Sequence, residues 1–125
     1  MKLVSNAIKK LSTPFDGSIL LDKNEYKNHM AFPQQTSRMF TKQDIESLNP
    51  NQYGVYGIFK QNQWIYVGKG DIKTRLLSHL NGENPCIAGA RPTHWVAELC
   101  VDPKMSSREK ELIIELDPPC NKKVG

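Results

Sequence analysis

The sequence predicts an α+β fold, and three observations predict it. Two runs rich in β-branched and aromatic residues, GVYGIFK and WIYVG, are separated by only a few polar residues. Two later segments, IKTRLLSHL and SSREKELIIEL, carry apolar residues at helical spacing. A third strand-like run, HWVAELC, lies between them. The order is therefore strand, strand, helix, strand, helix over residues 51–125, behind an N-terminal extension of residues 1–50.

The extension offers few signals. AIKKL is a candidate short helix and GSILLD a candidate strand, while FPQQTS clusters proline with polar residues and reads as loop. TKQDIESL reads as a helix, with Thr41 as its cap and Asp44 at the third helical position; NPNQ stops it.

GVYGIFK and WIYVG lie so close that they must pair antiparallel. With a loop of three or five residues centred on Gln61, Tyr56 falls opposite Tyr66, and both phenols project from one face. A two-residue loop shifts the register by one and breaks that pairing. In IKTRLLSHL the apolar stripe is Leu76, Leu77 and Leu80. Arg75 and His79, four apart, share its margin, and Asn81-Gly82 ends the helix. ENPCIAGARPT reads as loop, HWVAELC as the third strand, and the last helix stops at Pro118-Pro119.

That last helix contains an anomaly. Leu112, Ile113 and Leu116 form its apolar stripe, and counting back places Glu109 on the same stripe. A carboxylate facing a core is costly unless it is paired, hydrogen-bonded or bound to a cation. Ser106-x-x-Glu109 also fits a capping box, in which Glu109 reaches back to a backbone N–H. The helix alone does not choose between the two.

Composition sets outer bounds. A length of 125 residues suits one domain with one modest core. No apolar run approaches the ~20 residues of a membrane span, and lysines interrupt the N-terminal segment where a secretory signal would be apolar. Cys86, Cys100 and Cys120 are odd in number and form no C-x-x-C, so neither a disulfide framework nor a zinc knuckle is expected; a reducing cytoplasm is the expected compartment. The net charge of +4 is compatible with a polyanionic partner but is spread over both halves of the chain. Trp64, Trp95, His94 and Cys100 read as packing residues, and Lys122-Lys123 as a solvated tail.

Gly54-Val55-Tyr56 and Tyr66-Val67-Gly68 resemble the two half-motifs of the GIY-YIG nucleases, with valine twice in place of isoleucine. The resemblance continues in order through Lys69, Arg75, His79 and Glu109 to Asn121 within ELDPPCN, and covers about residues 53–123. Either half-motif alone is a common strand fragment, whereas the ordered set is specific. The resemblance implies a small antiparallel three-stranded sheet flanked by helices and divalent-metal-dependent cleavage of DNA phosphodiester bonds, with Mg²⁺ or Mn²⁺ as cofactor. It implies that Glu109 is the protein's metal ligand, that Tyr56 and Tyr66 line the site, that Arg75 and Lys69 bind the phosphate, and that Asn121 helps position the site. Tyr56 is then the immediate base, with His79 tuning it or accepting its proton. A homodimer would supply a second cut. Two other readings predict different behaviour: a catalytically inactive DNA-binding or regulatory module on the same fold, and a protein-interaction module that ignores DNA.

Overall fold

The computed structural model describes residues 31–122. The chain divides into two compact units, residues 1–38 and 39–125. In the first, Ala31 and Phe32 are buried, and residues 32–37 form no helix or strand. AIKKL and GSILLD lie outside the described residues.

From residue 38 onward the elements are β1 (Arg38–Met39), α1 (Lys42–Glu46), β2 (Tyr53–Lys60), β3 (Gln63–Asp71), α2 (Ile72–Leu80), α3 (Pro85–Ala90), β4 (His94–Leu99), α4 (Lys104–Leu116) and a 3-10 turn, Pro119–Asn121. The architecture is α+β. Among the described residues the sheet has four strands in the order β1-β4-β2-β3, not three, and β2 runs antiparallel to both of its neighbours. The additional strand is two residues long, too short for any alternation of side chains to mark it in the sequence.

Local chemistry explains the helix ends. Thr41 caps α1, accepting from the Asp44 N–H at 3.2 Å, and Ile45 enters the core fully buried. Asp71 caps α2 by accepting from the Thr74 N–H at 3.2 Å. The buried face of α2 is Ile72, Leu76 and His79, so His79 sits at the centre of the face and not at its margin. The segment expected to be loop contains α3. Asn84 Oδ1 accepts from the Cys86 and Ile87 N–H groups, and Pro85 takes the first helical turn, where its missing N–H costs nothing.

Strand alternation divides the sheet into two faces. Tyr56, Ile58, Tyr66, Gly68, Trp95 and Ala97 share one face; Val55, Val67, Lys69, Val96 and Glu98 share the other. The first face builds the main core, where Tyr56, Ile58 and Trp95 meet Ile45 of α1, Ile72 and Leu76 of α2 and Ile87 of α3. On the second face Val55 and Val67 are fully buried, and α4 is tied there by Arg108 Nε to Glu98 Oε1 at 2.9 Å. Burying each of these aliphatic side chains contributes about 1.5–3 kcal/mol.

Cys86 of α3 and Cys120 of the 3-10 turn form a disulfide across 34 residues, which corrects the expectation, from the cysteine pattern, of no disulfide framework. An odd cysteine count hid a pair that only the fold brings together. Cys100 is the unpaired thiol among the described residues and is half-buried. A reducing compartment no longer follows from the cysteine pattern. Among the described residues no helix is long and apolar enough to cross a membrane.

Candidate functional site

The hairpin sets the two phenols. Its loop has two residues, Gln61 and Asn62, with Lys60 paired to Gln63 and Phe59 to Trp64. Gln61 adopts the left-handed conformation, φ 54°, that such a tight loop demands. Tyr56 does not fall opposite Tyr66: Tyr56 pairs with Gly68, and Tyr66 with Ile58. The two-residue loop by itself would turn Tyr66 to the far face. Between Ile58 and Phe59 the register shifts, with Ile65 as the extra residue on β3, and this bulge returns Tyr66 to the face of Tyr56. The phenols are diagonal neighbours, ring centroids 6.3 Å apart.

Two glycines of the half-motifs are required by contact. A Cβ on Gly68 would collide with the Tyr56 hydroxyl and lie 2.8 Å from Tyr66 Cε2. A Cβ on Gly54 would run into the backbone of Glu98 and lie 2.9 Å from Leu99 Cα. Gly54 lets β4 approach β2; Gly68 leaves the space that the Tyr56 side chain fills.

Around Tyr56 the polar groups are dense. The Tyr56 hydroxyl and His79 Nε2 are 2.8 Å apart, and both residues are almost fully buried, 1% and 2% exposed. The His79 ring packs edge-on to Tyr66, centroids 5.0 Å apart, and its Nδ1 is buried without a hydrogen-bond partner. The Arg75 guanidinium is near enough for its charge to act on the Tyr56 hydroxyl, and it pairs with Glu83 at 3.2 Å. Burial, and then the neighbouring Tyr66, push the Tyr56 phenol well above its ordinary pKa, with Arg75 opposing. Tyr66 is raised too, by burial first and the Glu109 charge second. Burial, assisted by the Arg75 charge, holds His79 down to about 4, so its ring is neutral near pH 7.

Glu109 belongs to a second group on α4. Helix α4 starts at Lys104, so Ser106 lies within its first turn and is not the N-cap. The Ser106 N–H donates to Asp102 Oδ1 at 2.9 Å, and the capping box with Glu109 does not form. Glu109 is half-buried, as its place on the apolar stripe requires, and burial raises its carboxyl above the usual range while Lys69 opposes. Lys69 Nζ stands 4.0 Å from Glu109 Oε1 and donates to Ser106 Oγ at 2.7 Å.

Asn121 acts on the backbone. Its Oδ1 accepts from the Val67 N–H and its Nδ2 donates to the Val67 carbonyl, both at 2.8 Å. The amide thus pairs with the outer edge of β3 in place of a further strand, between Tyr66 and Gly68.

The structure therefore brings Tyr56, Tyr66, Arg75 and His79 together on one face, and Lys69 with Glu109 beneath α4. The Glu109 charge acts on both phenols and links the groups. Asn121 supports the strand that carries Tyr66 and Lys69. Glu83, Asp102 and Ser106 were not singled out as site residues from the sequence. Ser106 was visible only as part of a possible capping box, and Glu83 only as the first residue of the ENPCIAGARPT stretch that reads as loop. Among the described residues no group of three or more His, Cys, Asp or Glu is placed to hold a metal. Comparisons with protein-family models, curated proteins and solved structures returned no match.

Proposed function

We propose that the chain is a divalent-metal-dependent endonuclease of the GIY-YIG type that hydrolyses DNA phosphodiester bonds. The observation that carries this reading is the buried Tyr56–His79 pair, with the Arg75 charge acting on both residues and the Glu109 charge acting on Tyr56. A hydroxyl joined to a neutral imidazole and lying near a cation suits proton transfer next to an anionic substrate.

Glu109 fits a hard cation. It is a half-buried carboxylate whose ammonium partner stops at 4.0 Å, beyond direct hydrogen bonding, so its oxygens are open. Mg²⁺ or Mn²⁺ takes one carboxylate, several waters and substrate oxygens. When bound, such a cation neutralises charge on the phosphate and assists the leaving oxygen.

The chain's own residues do the remaining work. Arg75, with its planar fork, and Lys69 bind phosphate oxygens. Tyr56 keeps its proton in the resting site, because burial and Tyr66 outweigh Arg75. It takes a proton from the attacking water only as its own passes to His79 Nε2, which lies within transfer distance and is neutral. Asn121 holds β3 in register under Tyr66.

The test is nicking of supercoiled plasmid by the purified protein with Mg²⁺ or Mn²⁺. Nicking that is lost on chelation and in Glu109→Ala supports the reading. Salt-sensitive DNA binding without cleavage under any metal would leave the inactive DNA-binding module. No binding and no cleavage would leave the protein-interaction module.

A further inference from the structure

Lys69 and Glu109 are neighbours, yet they do not make a contact ion pair. Their charged atoms are 4.0 Å apart, against about 2.8 Å for a charge-assisted hydrogen bond. The ammonium instead spends its short contact on a neutral partner, Ser106 Oγ, at 2.7 Å. The direction of that contact is fixed by chemistry. An ammonium only donates, so Ser106 must accept from Lys69. Its own hydroxyl proton then goes to Asp102 Oδ1, 2.6 Å away, and Asp102 is held in turn by the Ser106 N–H at 2.9 Å. The result is a directed chain from cation through hydroxyl to carboxylate, built into the first turn of α4. Glu109 lies one turn further along the same helix, on the same side.

We infer that Asp102 and Ser106 form a parking site that holds the Lys69 ammonium off Glu109, leaving that carboxylate open to a divalent cation. Without it, two opposite charges on half-exposed side chains would close on each other, and the lysine would compete with the metal. Ser106 and Asp102 are positioning residues acting through Lys69. The purpose assigned to them rests on the metal-binding role proposed for Glu109; the contact itself does not.

The test uses the full chain as wild type, Ser106→Ala, Ser106→Thr and Ser106→Ala/Lys69→Met. Crystal structures should show Lys69 Nζ closing to about 2.8 Å from Glu109 in Ser106→Ala, and remaining near its present position in Ser106→Thr, which keeps the hydroxyl. Calorimetric titration with Mn²⁺, without DNA, should show binding weakened about fivefold in Ser106→Ala, the size of one partly exposed ion pair. Wild-type affinity should persist in Ser106→Thr and return in Ser106→Ala/Lys69→Met. A Ser106→Ala protein with Lys69 still apart from Glu109, or with unchanged Mn²⁺ affinity, overturns the inference. Wild-type protein that binds no Mn²⁺ overturns the metal role of Glu109 and the purpose given to the parking site. Closure of Lys69 onto Glu109 in the crystals would separate that failure from an error in the contact.

Discussion

Tyr56 is where opposing demands meet in one side chain. It is a core residue, 1% exposed, and also hydrogen-bonds His79 within reach of the Arg75 charge. A hydroxyl without those partners would be costly to bury there. Tyr56→Phe keeps the ring and removes the oxygen, so the core should tolerate it. DNA binding should persist while cleavage falls about a thousandfold, within the range of a lost acid–base group; near-normal turnover by that variant would discard its role as base. His79 makes a separate prediction about acid. Its folded pKa lies near 4, against an ordinary value of 6.5. Above the ordinary value neither folded nor unfolded chain holds the proton, and the pair is fully stabilising. Between the two values only the unfolded chain is protonated, so stability falls as pH drops through that window. The loss by pH 4 should reach roughly 2–3 kcal/mol. Urea midpoints measured from pH 7 to pH 4 should show this slope, and His79→Gln should flatten it.

At the scale of elements, the β2–β3 hairpin depends on one inserted residue. The tight loop and the bulge at Ile65 shift the register in compensating ways, and only together do they leave both phenols on one face. Among the described residues β3 has no strand on its outer side, and the Asn121 amide satisfies the Val67 N–H and carbonyl there. Val67 is itself fully buried, so those backbone groups have little access to water. Asn121→Ala should therefore destabilise the protein by about 2–3 kcal/mol, the sum of two lost hydrogen bonds to buried groups. Chemical denaturation would measure it. A variant as stable as wild type would show that water replaces the amide.

For the second unit as a whole, the sheet is covered on both faces, and the disulfide joins two segments far apart in sequence. Cys86 precedes β4 and α4, and Cys120 follows them, so the bond closes a 34-residue loop that includes Glu109. It also anchors the turn that carries Asn121. Closing a loop of that length restricts the unfolded chain by roughly 3–4 kcal/mol. Cys86→Ser/Cys120→Ser, or wild type under strong reductant, should lose about that much stability in a thermal or denaturant melt. Equal stability of oxidised and reduced protein would show that the bond adds nothing to the fold.

The order of the second unit's main elements was legible in the residues, because period-two and period-3.6 patterns are local properties of the chain. GVYGIFK, WIYVG, IKTRLLSHL, HWVAELC and SSREKELIIEL each became the element their pattern implied, and Glu109 was visible as a charge on an apolar stripe. The two-residue β1, the bulge at Ile65, the Cys86–Cys120 bond and the Asp102–Ser106–Lys69 chain were not legible. Each is set by which segments meet across the sheet, and local patterning does not encode that. The short helix α3 was missed for another reason: its Asn84-Pro85 start was written in the sequence but passed for loop chemistry. The tertiary structure alone put His79 at the centre of its helix face, because the Tyr56 hydroxyl lies there to offset the cost of burying an imidazole.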